Sequence, residues 1–366
     1  MPISHIKRIG GTFSSKNRPW RKKLAPLLGL ISLLLVLTFA ACNNAGSFVN
    51  ANAAPAEFRI GYLSIPNAQL IAKSLNLVED QFPDTRIKWV PFSAGWRVLD
   101  AIAKGNLDVG LAGSVPASTA IAQGLPVQVY FIHNIIGDSE ALAVTQASNI
   151  QSIDDLVGKD IGVPFGSTTH FSLLSALLEA GIEANQVNIL DMRPAEILSA
   201  WKRGTIDGGF IWEPTLGRLI ASKGNRLVTA KQLAEKGIVT ADLGVVSQSF
   251  AATHANFLAD YVRLLNEAVQ RYQDDPEAVA ETVAPEIGLS PEDSLGVMNG
   301  LVWLNATEQA SERYIGTPDQ PGALSEILKA SADFMAAQDA IPDPPALETF
   351  QQGLFSKAIQ QAIKSA

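Results

Sequence analysis

VPFGSTTHFSLLSAL, running from Val163 to Leu177, decides how this chain is read. An apolar strand end passes through Gly166 into four consecutive polar residues, Ser167, Thr168, Thr169 and His170, and then into a helical pattern. That order places the small hydroxyls beyond the carboxyl end of a strand. In open α/β sheets this is where helix N-termini present free amides and partial positive charge to a ligand. The order recurs upstream in GLAGSVPAS, where Gly113 precedes Ser114 at an expected N-cap and Pro116 falls in the first turn. Either segment alone reads as an ordinary capped helix. Two of them facing one another across a cleft make an anion site.

Outward from these segments, the chain alternates short apolar runs with helical patterns. EFRIGYL, RIKWVPF, DVGLAG and PVQVYFIH read as strands, separated by NAQLIAKSLNLVED, GWRVLDAIAKGNL and SVPASTAIAQG as helices. After SEALAVTQASN the alternation restarts with DIGVPF, QVNILDM and IDGGFIW as strands. One further apolar strand, ADLGVVSQ, precedes a stretch that is almost entirely helical in pattern. Two consecutive βα sets predict an α/β chain folded as a two-lobed clamshell, with mainly parallel sheets, a hinge and C-terminal helices. The expected boundaries are residues 57–143 for the N-terminal part of lobe 1 and 144–242 for lobe 2. Residues 243–366 form the return to lobe 1 and the C-terminal helices. The crossings are expected near 143–147 and 242–248.

Residues 1–41 hold seven basic and no acidic residues and end in the apolar run LAPLLGLISLLLVLTFAA, the pattern of a signal peptide. The chain carries 28 Lys and Arg against 36 Asp and Glu; without that leader the balance is about −15, which argues against nucleic-acid binding. The single cysteine, Cys42, follows the apolar run directly and is placed for lipidation, with residues 42–56 as a flexible tether to the membrane. Cleavage after Ala51-Asn52-Ala53 and an uncleaved anchor are the alternatives. All three export the rest of the chain.

Catalysis needs a nucleophile with a base in reach. His170 adjoins Ser167, but His5, His133 and His254 are scattered, no G-x-S-x-G motif occurs, and no His, Cys or acid spacing suits a metal. The chain therefore reads as a binder without catalytic residues, metal or cofactor.

Four stretches carry a family resemblance: GNLDVGLAGSVPASTAIAQGLPVQVY (residues 105–130), GDSEALAV (137–144), LVGKDIGVPFGSTTHFSLLSALLEAGI (156–182) and AEILSAWKRGTIDGGFIWEPTLGRL (195–219). The chain resembles the solute-binding proteins of ABC importers for sulfonates, nitrate and thiamine precursors, and within them the taurine-binding members. The likeness runs in order from about residue 58 to residue 250. It implies an extracytoplasmic, monomeric receptor that captures taurine or a similar small sulfonate and delivers it to permease and ATPase subunits. Binding proteins for nitrate or a thiamine-pyrimidine precursor, a thiamine-pyrimidine type of enzyme, and a sensory lipoprotein without a transporter are the other readings.

Under that resemblance, Gly113 and Ser114 of one lobe and Ser167, Thr168, Thr169 and His170 of the other are the expected ligand contacts. A sulfonate has three oxygens spread about sulfur and suits several donors from different directions. Taurine also bears an ammonium, and a buried cation needs a carboxylate. Glu140 and Asp242 are the preferred partners, with Glu213 a third. Trp212 is placed to cover the two methylenes, and Tyr62 is a further candidate. Leu63 and Asn67 stand where taurine-binding relatives tend to have polar or acidic side chains. Trp96 and Trp201, in amphipathic helical patterns, read as packing residues, and Asp207 as a turn residue.

Overall fold

The computed structural model describes residues 54–364. The leader, Cys42 and the tether up to residue 53 lie outside the described residues. Among the described residues, eleven strands form two sheets. They are β1 (Glu57–Tyr62), β2 (Arg86–Pro91), β3 (Val109–Gly113), β4 (Val127–Ile136), β5 (Glu140–Thr145), β6 (Asp160–Val163), β7 (Asn188–Asp191), β8 (Gly208–Trp212), β9 (Gly224–Thr229), β10 (Ala241–Ser247) and β11 (Leu301–Val302).

The first sheet has the order β11-β4-β10-β3-β1-β2 and the second β7-β6-β8-β5-β9. Strands joined by crossover helices pair in parallel, β1 with β2 and β3, and β6 with β7 and β8. β10 runs antiparallel to β3 and β4, and β5 antiparallel to β8 and β9. The sheets are therefore mixed, where alternation predicted mainly parallel ones. The reason is connectivity: β5 and β10 are the strands by which the chain enters a sheet from the other one, so no βαβ crossover sets their direction.

The changes of sheet also differ from expectation. The chain leaves the first sheet after Ile136 and is already in the second at Glu140, and it is back in the first at Ala241. SEALAVT, expected as connecting chain, is a strand because it alternates apolar residues toward both faces. Leu142 and Val144 join a core with Ile161, Val163 and Phe210, while Ala141 and Ala143 join one with Ile197, Trp201 and Ile211.

The first sheet is sealed by the C-terminal helices. On Ala255–Asp274, Phe257, Tyr261 and Leu265 recur at helical spacing and enter the main core. Phe58 of β1 lies with its ring centroid 5.0 Å from both Phe257 and Tyr261, edge to face. Each such ring contributes roughly 2–3 kcal/mol by burial alone. β10, in the middle of this sheet, is buried at all seven positions, which explains its lack of polar alternation.

Candidate functional site

The two helix starts singled out in the sequence meet. Helix Ser114–Ala122 follows β3 through Gly113, and helix Thr168–Glu179 follows β6 through Gly166. Gly166 has φ +70°, a left-handed turn that a side chain resists and that sets Ser167 as N-cap. Gly113 has an ordinary φ of −63°. What it requires is space, since a Cβ built there falls 2.8 Å from Thr168 Cγ2. The helix starts of opposite sheets are thus in van der Waals contact, and the cleft is shut.

Beside this contact lies a cavity of about 50 Å³, room for a few water-sized groups, lined in part by Gly113, Asp242 and Trp96 on one side and Glu140, Thr168 and Trp212 on the other. The sheets place these residues. Asp242 is in register with Gly113 in the β3–β10 pair, and Glu140 with Trp212 in the β5–β8 pair. Thr168 Oγ1 donates to Glu140 Oε1 at 2.7 Å. Glu140 Oε2 is buried and has no hydrogen-bond partner among the described residues. A second cavity of about 20 Å³ continues past the acids, touched by Glu140, Asp242, Trp212, Glu213 and Ser139.

Electrostatically the site is short of positive charge. Glu140 and Asp242 are 5% and 9% exposed, and neither forms an ion pair among the described residues. Burial pushes Glu140 up to about 8; the Thr168 hydrogen bond opposes the rise and neighbouring Asp242 adds to it. Burial likewise pushes Asp242 up to about 7, against the Asn134 side chain. Two buried carboxyls without a cation, beside two helix N-termini whose first amides have no partner in their own helix, suit a ligand carrying both signs of charge.

Of the residues expected from the sequence, Gly113, Glu140, Ser167, Thr168, Trp212 and Asp242 line this cavity. The remaining expected residues, and the Ser167 hydroxyl, are engaged elsewhere. Ser114 Oγ accepts from the Ala241 amide at 3.2 Å, and Ser114 does not line this cavity. Ser167 Oγ caps its helix, accepting from the His170 amide at 3.1 Å, and is 2.8 Å from Thr169 Oγ1, which is fully buried. His170 turns away, its ring stacked on Phe165 at 4.5 Å and its Nδ1 accepting from the Gly166 amide, with burial pushing it down to about 4. Neither arrangement leaves His170 as a base for Ser167. Tyr62 packs edge to face on Trp89, with the Lys73 ammonium over its ring. Glu213, held by the Gly217 amide and Arg226, touches only the smaller cavity of the two.

The departures at the first strand have local explanations. Leu63 lines the cavity as an apolar wall, while Asn67 is buried as the N-cap of helix Ala68–Ser74, accepting from the Leu70 amide. Asp207 is a turn residue as expected, accepting from the Asp160 amide at 3.0 Å. Trp96 is a correction. It is 51% exposed and lies at the cavity mouth, whereas Trp201 is buried as read. Phe165, 44% exposed at the same mouth, was not anticipated. Both escape amphipathic reading because one exposed aromatic at the end of a helix or strand has no periodic signature.

The model of the NMT1-like family matches residues 51–286. The chain belongs to the NMT1-like family. The taurine-binding periplasmic protein of Escherichia coli (strain K12) is 30% identical over 302 residues, covering 81% of this chain and 91% of that relative. A putative aliphatic sulfonates-binding protein of the same organism is 28% identical over 263 residues, covering 72% and 79%. Among solved structures, the alkanesulfonate-binding protein SsuA from Xanthomonas axonopodis pv. citri, bound to MOPS, superposes with a TM-score of 0.69 at 26% identity, over 83% of this chain and 99% of that one. These relatives of the NMT1-like chain are binding proteins, and their fold is the two-lobed clamshell expected from the sequence.

Proposed function

We propose that this chain is the ligand-capturing component of an ABC importer. It is exported from the cytoplasm and tethered through lipidated Cys42, and it shuts over taurine or a similar small aminosulfonate for delivery to permease and ATPase partners. The observation that carries this reading is the hydrogen bond from Thr168 to Glu140 beside Asp242 and Gly113, in a cavity fed by both sheets.

A zwitterion satisfies that arrangement as a plain anion does not. The sulfonate takes the Thr168 hydroxyl and the free amides at the two helix starts. The ammonium then replaces the Thr168 proton on Glu140 and pairs with Asp242. Nitrate or an alkanesulfonate competes for Thr168 and leaves the acids beside a second negative charge. Because neutral donors from opposite sheets hold the anion, the contacts form fully only in the shut state, so binding drives closure and opening releases the ligand. The relatives named above are binding proteins, and we read this chain as a binder and not an enzyme.

Calorimetric titration with taurine, ethanesulfonate and nitrate tests the proposal. Taurine is expected to bind at least tenfold more tightly than ethanesulfonate, the equivalent of about 1.4 kcal/mol. Equal affinities remove the ammonium from the site.

A further inference from the structure

A small apolar cluster separate from the main cores ties the two gripping helices together. Val115 follows Ser114 on the first helix; Phe171 and Leu174 lie one and two turns beyond Thr168 on the second; Met335 comes from the C-terminal helix Leu324–Ala337. Phe334 joins them, its ring edge-on to Phe171 at 5.1 Å between centroids. The C-terminal helix is anchored on the first gripping helix, where Ser118 Oγ donates to the Leu328 carbonyl oxygen at 2.5 Å. Ile341, after the helix end, packs against both this cluster and the main core.

We infer that Phe334 and Met335 are positioning residues that set how firmly the cleft stays shut, although neither lines the ligand cavity. Ser118 keeps the C-terminal helix with the first sheet. Drawing Thr168 away from Gly113 therefore pulls Phe171 and Leu174 off Phe334 and Met335 and exposes apolar surface on both sides. The cluster forms only when the helix starts are in contact, so it acts as a latch whose strength enters ligand affinity through the closed population. A ring and a thioether make a latch of limited strength. A larger, better-packed core here would hold the ligand too long for transport. The inference rests on the clamshell reading above but not on the identity of the ligand.

The test uses the full chain as wild type, Phe334→Ala and Phe334→Leu. Hydrogen exchange without ligand reads the opening directly. Phe334→Ala is expected to speed exchange roughly tenfold at the amides of residues 113–115 and 167–171, while β1, β8 and β10 keep their wild-type rates. Phe334→Leu, which restores apolar bulk, is expected to recover most of the protection. With taurine, the same alanine variant is expected to raise the dissociation rate roughly tenfold and leave the association rate within twofold. Unchanged exchange at both helix starts overturns the latch, and so does equal acceleration throughout the chain, which marks general destabilisation. Faster exchange at the helix starts in a protein that never binds taurine supports the latch and rejects only the ligand assignment.

Discussion

Thr168 donates its hydroxyl to Glu140 at 2.7 Å while its methyl faces Gly113 of the opposite sheet, so one threonine joins the buried acid to the contact between the two helix starts. Its neighbours Ser167 and Thr169 serve the helix instead. A single rotation along the first turn separates the hydroxyl bonded to Glu140 from the structural ones.

Thr168→Val keeps the shape and the contact with Gly113 but removes the donor. Taurine affinity is expected to fall roughly 10- to 100-fold by calorimetry, the loss of one hydrogen bond to a charged group. The variant's melting temperature is expected to stay near wild type; a large fall with unchanged affinity assigns Thr168 to the fold alone.

Gly113→Ala places a methyl group where Thr168 Cγ2 already lies, 2.8 Å away. The backbone angles there suit alanine, so the substitution strains only the shut form. Affinity is expected to drop at least tenfold while the unliganded protein melts as before. Small-angle scattering with saturating taurine is expected to show a more open particle than wild type. Wild-type compaction contradicts the shut geometry.

Ligand affinity is expected to depend on pH with opposite signs for the two ligand types. Without ligand, Glu140 is pushed up to about 8 and Asp242 to about 7. An ammonium favours the ionised carboxyls, so below about pH 8 its binding expels protons and taurine affinity falls, by at most about tenfold per pH unit per proton. Ethanesulfonate is expected to gain affinity over the same range as the acids lose their charge. Proton release, measured by calorimetry in buffers of different ionisation enthalpy, checks the sign.

The same burial carries a stability consequence. A carboxyl raised from 4.5 to about 8 on folding contributes most below pH 4.5, and that contribution is lost as pH rises through about 8. Glu140→Gln, which retains an acceptor for Thr168, is expected to raise the melting temperature of the unliganded protein at pH 8.5, the stabilisation having an upper bound of about 5 kcal/mol. The difference should vanish near pH 4.5. The variant is also expected to weaken taurine more than ethanesulfonate; an equal loss assigns Glu140 to the hinge.

Much of this site was legible in sequence for a specific reason. Strand, glycine, hydroxyl and helix are consecutive in the chain, so the helix starts at Gly113 and Ser167 are local features. The destinations of side chains around each start were not. Ser114 and Thr169 belong to the same small-hydroxyl clusters as Thr168, yet of these three Thr168 alone lines the cavity. Successive residues of a helix start point about 100° apart, and the phase is set by where the helix packs. Trp96 was misread for the same reason.

By itself the sequence determined the alternation of strands and helices, two βα sets and two helix N-termini of the same make; Glu140, Asp242 and Glu213 were candidates only through the ligand that the family resemblance implied. Periodicity and capping are local properties of a chain, and local properties survive without a fold. Only the tertiary structure decided that Asp242 lies in register with Gly113, that Glu140 accepts from Thr168, and that a C-terminal helix closes on the backs of both gripping helices. Those pairings join residues more than a hundred positions apart in two of the three cases. They depend on how the sheets are ordered and shut against each other, which burial of the whole core selects and no short stretch can encode.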